Sequence, residues 1–282
     1  MLRQRVITAL ILVGLLLASL LVESRLPFEL LTLVLMAAAG WEWGRLNEAP
    51  PQLALLMGAL VAAGGAAALA AGWGALPVPS ALWWLVTALW ILGGAIALRA
   101  GPAAWPRLSR GLRWSLGLFA LWAAWLALVQ SRRLGINFML SLLCLVWMAD
   151  IAAYFGGRAW GRRKLALSIS PGKSWEGVWS GMAGVLLLAL FWITLDAHSS
   201  FDGPSLYTRL WDGLGSLGYM PALLALTGLG VAGDLIESLV KRGAGAKDSS
   251  GLLPGHGGVL DRVDALLPVL PAALALLALK LR

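Results

Sequence analysis

The sequence predicts an all-α, polytopic integral membrane protein, a helical bundle with about nine transmembrane helices. Hydrophobic residues make up 60% of the 282-residue chain and charged residues only 13%. Soluble domains are about 25% charged and roughly 45–50% apolar. Apolar segments of the length that crosses a bilayer, about 20 residues, recur along the whole chain. Lipid is therefore the solvent for much of this surface.

Nine segments are long and apolar enough to span a bilayer as helices. They lie near residues 6–22, 27–44, 53–72, 81–99, 112–130, 136–156, 177–195, 219–240 and 263–281. The first follows "MLRQR" and resembles a signal peptide, but "LLVESRLP" offers no small-x-small cleavage site. We therefore expect an uncleaved anchor.

The basic residues predict the orientation of the bundle, because cytoplasmic loops carry an excess of Lys and Arg. With a cytoplasmic N-terminus, the even-numbered connections lie inside; these include the arginine-rich stretch 99–113 and the basic stretch 158–173. Outside lie the uncharged "WGALPVPS" and the net acidic "DAHSSFDGPSLYTRLWDG", with "SRR" at 131–133 as the exception. We expect the loop after the eighth span to face the cytoplasm.

Several kinds of site are excluded by composition. The single cysteine, Cys144, lies in an apolar run, which excludes a disulfide framework and a cysteine zinc site. His198 and His256 have no partner at metal-ligand spacing. The net charge of +8 fits loops near anionic lipid, so we expect a lipid bilayer and no nucleic acid as a partner.

The chain divides into two regions by the distribution of polar residues. Residues 1–135 are nearly bare of polar side chains within their spans, and we expect N-terminal transmembrane helices that act as a scaffold or in dimerisation. The glycines of "GALVAAGGAAALAAG" (58–72) should allow close helix packing. Residues 136–282 form the predicted catalytic region, with a site facing the cytoplasm.

Two polar stretches interrupt the apolar pattern first, and ionisable residues in a membrane are functional candidates. In "WMADIAAYFGGRAWGRRK" (147–164), Asp150 and Tyr154 share a helix face. "SISPGKSWEG" (168–177) leads into the seventh span. Its "GKS" is not a phosphate-binding P-loop, because Leu167 stands where that motif needs glycine.

A third polar stretch, residues 233–264, has the types of residue that a polyphosphate site needs. Asp234, Ser238 and Lys241 share one face of the eighth helix, while Asp261 and Asp264 are three residues apart at the start of the ninth. A glycine-rich loop between them can bring backbone N–H groups to a phosphate. Carboxylates with cations and bare amides suit a Mg²⁺-bound polyphosphate. A solvated loop without a ligand is the alternative.

The residues from Ser238 to Asp264, "SLVKRGAGAKDSSGLLPGHGGVLDRVD", resemble the signature of phosphatidate cytidylyltransferases, also called CDP-diacylglycerol synthases. That signature has serine before Lys-Arg, then Lys-Asp, Pro-x-His-Gly-Gly and Asp-Arg-x-Asp, all at the spacing seen here. The two earlier stretches resemble secondary motifs of the family, through Trp147, Asp150, Ala153, Tyr154, Ser170, Pro171, Lys173, Ser174 and Glu176. The resemblance covers residues 147–264.

The resemblance implies an activity and its partners. CTP and phosphatidic acid would give CDP-diacylglycerol and pyrophosphate at a two-metal centre on the cytoplasmic side of the membrane. We separately expect that membrane to be a bacterial inner membrane. It implies Mg²⁺, leaves open a second cation such as K⁺, and implies a homodimer.

Roles for the residues follow as a hypothesis from the resemblance. Asp234 and Asp261 would bind metal. Asp264, as a second ligand or orienting group, Lys247 and Asp248 are the catalytic candidates. Nucleotide and phosphate would be bound by Ser238, Lys241, Arg242, His256, Gly257, Gly258 and Arg262. The phosphatidate headgroup, or the cytidine, would be bound by Ser170, Lys173, Ser174 and Glu176.

Two other classes of membrane protein match these residues less well. A transporter or lipid flippase would place charged or broken-helix positions near mid-membrane in paired halves, whereas the acids here cluster at one end of the second half. CDP-alcohol phosphotransferases use membrane aspartates and metal too, but end in Asp-x-x-x-Asp. The Asp-x-x-Asp of Asp261 and Asp264 does not match that pattern.

Overall fold

The computed structural model describes residues 2–279 and is mostly helical. Its helices are α1 (Leu2–Leu21), α2 (Leu26–Leu46), α3 (Pro51–Ala70), α4 (Ser80–Ala100), α5 (Arg110–Leu134), α6 (Ile136–Trp160), α7 (Trp175–His198), α8 (Leu206–Gly243), α9 (Leu260–Val263) and α10 (Leu266–Leu277). A single 3-10 turn, Trp105–Arg107, precedes α5, and a hairpin of β1 (Lys164–Ala166) and β2 (Ser170–Ser174) precedes α7.

The prediction of an all-α polytopic membrane bundle is confirmed. Helices lie at all nine predicted positions, and within residues 2–279 seven of them, α2 to α8, are long and apolar enough to cross a membrane. Large apolar side chains such as Val34, Ile96 and Leu187 are more than half exposed, as expected for surfaces that face lipid. The ninth predicted span is divided between α9 and α10, and its last positions, 280 and 281, lie outside the described residues.

Helix α8 is longer than predicted. It begins at Leu206, where the Ser205 hydroxyl accepts a hydrogen bond from the Thr208 N–H at 3.3 Å. The helix is kinked at Gly215, whose φ of 66° lies in the left-handed region that favours glycine. The predicted span 219–240 corresponds to the part after this kink.

The connections fall at two opposite ends of the bundle, as the sequence predicts. Trp105, between α4 and α5, donates from its indole N–H to Asn47 Oδ1, between α2 and α3, at 2.8 Å. Arg242, at the end of α8, donates from Nε to the carbonyl of Ile169 in the hairpin at 3.3 Å. The even-numbered connections therefore share one end, which we call the loop end.

Small residues bring neighbouring helices close together. A Cβ on Gly58 would lie 2.7 Å from the carbonyl oxygen of Ala37, so the predicted close packing of the glycines in α3 is confirmed against α2. Helices α6 and α7 pack in the same way, since a Cβ on Gly181 would lie 2.9 Å from the Ala149 carbonyl oxygen. The chain halves pack on each other, because α10 lies against α4 and α5. The division at residue 135 stays a prediction.

Candidate functional site

The stretch that links α8 to α9 folds into a compact structure at the loop end. We call residues 244–259 the signature loop. Within it, the Leu253 N–H donates to the Gly257 carbonyl and the His256 N–H to the Leu253 carbonyl, each at 2.8 Å. Positive φ angles at Gly245, Gly255 and Gly257 make the turns possible. The glycine-rich sequence thus forms a defined turn rather than an open chain.

Asp261 fastens the signature loop at two points. Its Oδ2 accepts hydrogen bonds from the Ser249 N–H at 2.9 Å, the Ser249 hydroxyl at 2.8 Å and the Gly258 N–H at 2.8 Å. Its Oδ1 accepts one from the Lys241 ammonium at 2.5 Å. Burial opposes ionisation of Asp261, but the hydrogen bonds from Lys241, Gly258 and Ser249 outweigh it and lower the pKa to about 2. Asp261 is therefore a carboxylate whose oxygens already have donors.

Lys241 joins α8 to this carboxylate. Its ammonium lies 2.5 Å from Asp261 and 2.5 Å from Glu237 Oε2, and the residue is buried. Lys241 therefore bridges Glu237 on its own helix and Asp261 on α9. The role of Lys241 in binding the nucleotide stays a prediction; in the structure its ammonium is paired with Glu237 and Asp261.

Asp234 lies two turns before Lys241 on α8 and contacts the hairpin. The Lys173 ammonium, on β2, forms an ion pair with Asp234 Oδ2, and the Ser238 hydroxyl donates to Asp234 Oδ1 at 3.3 Å. The structure thus brings the second and third polar stretches together. It gives Asp234 and Asp261 different lysine partners, and their assignment as a shared metal pair stays a prediction.

Three aspartates, Asp150, Asp234 and Asp264, belong to elements that pack together around α8. A Cβ on Gly233 would lie 2.5 Å from the Asp264 carbonyl oxygen, so the junction of α9 and α10 packs directly beside Asp234. Asp150, on α6, lines the same cavity as Asp234. In the described part of the chain, no three His, Cys, Asp or Glu side chains already form a compact metal site.

A cavity of about 580 Å³ opens beside these acids, between α6, α7, α8 and the hairpin. Most of its wall is apolar or glycine. Its polar wall consists of Asp150, Tyr154, Arg158, Lys173, Ser174, Thr227 and Asp234. The predicted shared face of Asp150 and Tyr154 is confirmed, because both line this cavity. The cavity joins membrane-spanning helices to the charged loop end.

The remaining residues of the second stretch are held by backbone contacts. The Ser174 hydroxyl caps α7 by accepting from the Gly177 N–H at 3.2 Å. Glu176 accepts from the N–H groups of Arg162 and Arg163, each at 3.1 Å, and so holds the end of α6. Ser170 opens β2, opposite Ala166. Of the four headgroup candidates, Lys173 and Ser174 face the cavity.

The remaining loop candidates are mostly exposed at the loop end. Lys247, Asp248, Arg242 and Arg262 are exposed to solvent. Arg262 also donates to the carbonyl of His256 at 2.8 Å, which braces the turn. These cations surround the signature loop from the outside.

One residue of the site was not predicted. Glu42, on α2, is fully buried and accepts hydrogen bonds from Ser249, Ser250, Val259 and Leu260. The first half of the chain therefore contributes a carboxylate to the signature loop. The signal in the sequence was a glutamate inside an apolar span, "GWEWG", which by itself marks a functional candidate.

Fold and site together define an integral membrane protein with a charged, glycine-rich loop at one end of its helices. Comparison with known proteins agrees. The model of the cytidylyltransferase family matches residues 3–280. The chain therefore belongs to the cytidylyltransferase family.

Several relatives are similar to this chain. It is 38% identical to a phosphatidate cytidylyltransferase of Pseudomonas aeruginosa, over 98% of this chain and 97% of that protein. A phosphatidate cytidylyltransferase of Haemophilus influenzae is 45% identical over 49% of this chain and 44% of its own length. The chloroplastic phosphatidate cytidylyltransferase 5 of Arabidopsis thaliana is 36% identical over 58% of this chain and 38% of its own.

Proposed function

We propose that this protein transfers the cytidylyl group of CTP to phosphatidic acid, giving CDP-diacylglycerol and pyrophosphate. The observation that carries the proposal is the position of the cavity. It lies among membrane-spanning helices, where a lipid can enter, and it ends at Lys173 and Asp234 beside the loop end. Membership of the cytidylyltransferase family supplies the nucleotide chemistry.

The reaction needs little proton transfer. A phosphate oxygen of phosphatidic acid attacks the α-phosphorus of CTP; that bond forms as the bond from the α-phosphorus to the bridging oxygen breaks, and pyrophosphate leaves. A phosphomonoester has its second pKa near 6, so its oxygen is largely ionised at neutral pH. The main obstacle is repulsion between two polyanions, and catalysis consists of positioning and charge neutralisation.

The cations divide between the two substrates. Arg242, Lys247 and Arg262 are exposed around the signature loop and would bind the triphosphate and the leaving pyrophosphate. The His256 and Gly258 N–H groups already donate to the Leu253 carbonyl and to Asp261 Oδ2, so the Gly257 N–H is the one of the three that would donate to phosphate oxygens. Lys173 faces the cavity and would bind the phosphate of phosphatidic acid. Lys241 would act indirectly, by holding Asp261.

The donor set fits Mg²⁺, which prefers carboxylate oxygens. Asp150 and Asp234 line one cavity, and the backbone of Asp264 packs against Gly233, the residue before Asp234. Asp261 fits less well, because its two oxygens accept four hydrogen bonds, from Lys241, Ser249 and Gly258. The oxygens of Asp234 have one partner each, Lys173 and Ser238. We therefore assign the metal to Asp234 and Asp264, with Asp261 holding the loop. When bound, the ion would neutralise charge on the phosphates; a second cation such as K⁺ stays a prediction.

The proposed location is a bacterial inner membrane with the loop end in the cytoplasm, where CTP is available. Support comes from the basic residues of the even-numbered connections, such as Arg107, Arg110 and Arg163, which lie at the loop end. Likewise, the homodimer stays a prediction from the family resemblance.

The test is an assay of purified protein in detergent with CTP, Mg²⁺ and phosphatidic acid. We expect equal amounts of pyrophosphate and CDP-diacylglycerol, and no product when any one component is omitted. Diacylglycerol, which lacks the phosphate nucleophile, is the matched control substrate. Pyrophosphate release without a lipid product, or transfer to diacylglycerol, would contradict the proposal. Asp234→Asn and Asp264→Asn should each abolish turnover without loss of expression.

A further inference from the structure

Glu42 is a buried carboxylate whose partners all belong to the stretch from Ser249 to Leu260. Its Oε1 accepts from the Ser250 hydroxyl at 2.5 Å and the Val259 N–H at 3.0 Å. Its Oε2 accepts from the Ser249 hydroxyl at 3.2 Å and the Leu260 N–H at 2.6 Å. Glu42 forms no ion pair within the described chain, and its contacts with the loop are these four hydrogen bonds.

The second glycine of His-Gly-Gly is where this carboxylate meets the loop. A Cβ on Gly258 would lie 2.3 Å from Glu42 Oε1 and 2.0 Å from the Ser249 hydroxyl oxygen. Ser249 also donates to Asp261 through its N–H. The loop is thus fixed on one side by Asp261 and on the other by Glu42, which belongs to a different half of the chain.

Stability alone does not account for a carboxylate here. Burying a polar side chain costs free energy that an apolar side chain of similar size would not cost. The contacts instead fix the positions of two backbone N–H groups and two hydroxyl groups in the loop. Glu42 is therefore placed to set the loop's conformation.

We propose that Glu42 is a positioning residue that holds the signature loop in the conformation that binds the triphosphate of CTP. The inference rests on the proposed function for the identity of the ligand, but not for the ordering of the loop. It acts through the loop, since its own oxygens are taken up by the four donors and do not reach solvent.

The test compares Glu42→Gln with Glu29→Gln, a matched control. Glu29 is also a buried glutamate of α2, but near the opposite end of the helix and without contact to the loop. In the absence of substrates, amide hydrogen exchange over residues 249–262 should be about 10- to 100-fold faster in Glu42→Gln than in the wild type. That factor corresponds to the loss of one strong hydrogen bond. Glu29→Gln should leave it unchanged. Ser250→Ala, a milder change, should raise it less than about tenfold.

Kinetics separate positioning from general destabilisation. Glu42→Gln should raise the KM for CTP by the same factor of about 10 to 100 and leave the KM for phosphatidic acid within about twofold. A purely structural role would lower the active fraction and leave both KM values unchanged. Wild-type exchange in Glu42→Gln, or equal exchange in the two glutamine variants, would overturn the inference. Wild-type protein inactive with CTP and phosphatidic acid would overturn the proposed function, whereas loop exchange that still depends on Glu42 would support its positioning role.

Discussion

Replacing Asp261 by Asn tests whether Asp261 holds the signature loop in place or binds a metal ion. The side chain is 6% exposed, and its oxygens accept from Lys241, Ser249 and Gly258. An amide of the same shape would turn its NH₂ group towards at least one of these donors. Breaking one partner of a buried charged pair costs about 3–5 kcal/mol. At the lower end of that range, the closed loop would open roughly a hundredfold more often.

The assay is amide hydrogen exchange over residues 249–262 in EDTA, so that no divalent metal contributes. Asp261→Asn should exchange about a hundredfold faster than wild type in this segment. Asp264→Asn is the comparison. Within residues 2–279 the Asp264 side chain accepts one hydrogen bond, from the Ala265 N–H at 2.8 Å, so its loss leaves the loop contacts intact. It should lose Mg²⁺-dependent turnover with normal exchange. A protected loop in Asp261→Asn, with activity restored by high Mg²⁺, would return Asp261 to the metal site.

Further predictions concern the loop, the cavity and pH. Gly257→Ala should lower activity, because Gly257 has a φ of 82° and a Cβ there would lie 2.7 Å from Asp261 Oδ2; Gly251→Ala, with open space around it, is the control, and equal activity would contradict this. Lys173→Gln should raise the KM for phosphatidic acid about tenfold and that for CTP less than about twofold, measured by varying each substrate. The pKa of Asp261 is lowered from 3.8 to about 2, so its contribution to the stability of the loop is present above pH 3.8 and is lost as the pH falls towards about 2. The rate of pepsin cleavage within the loop would measure this loss.

The helices were predictable because lipid imposes a length and an apolar composition on each span. The bounds of α4, predicted as 81–99 and found as Ser80–Ala100, show how little else is needed. The first part of α8 was not predicted, since Arg209 and Asp212 dilute its hydropathy. The hairpin around Ser170 was not predicted either. Its strands are too short, and one contains proline and glycine, so no alternating pattern marks them.

The composition of the site was predictable, but its pairings were not. Spacing placed Asp234, Ser238 and Lys241 on one face of a helix, and the hydrogen bond from Ser238 to Asp234 agrees. Which carboxylate each lysine meets depends on how separate elements pack. Glu42 lies 218 positions before its partner Leu260, and no local pattern connects them.

The pairing of charges at the loop end explains how a buried acidic cluster can serve a site for polyanions. The carboxylates nearest the signature loop, Glu42 and Asp261, are satisfied by loop donors and by Lys241. Arg242, Lys247 and Arg262 are exposed, and among residues 2–279 none of them forms an ion pair with a carboxylate. Glu42 and Asp261 thus order the loop through contacts inside the protein, and the three exposed cations remain available to bind a ligand. Because ordering is completed before a nucleotide arrives, binding the triphosphate would cost little further conformational entropy.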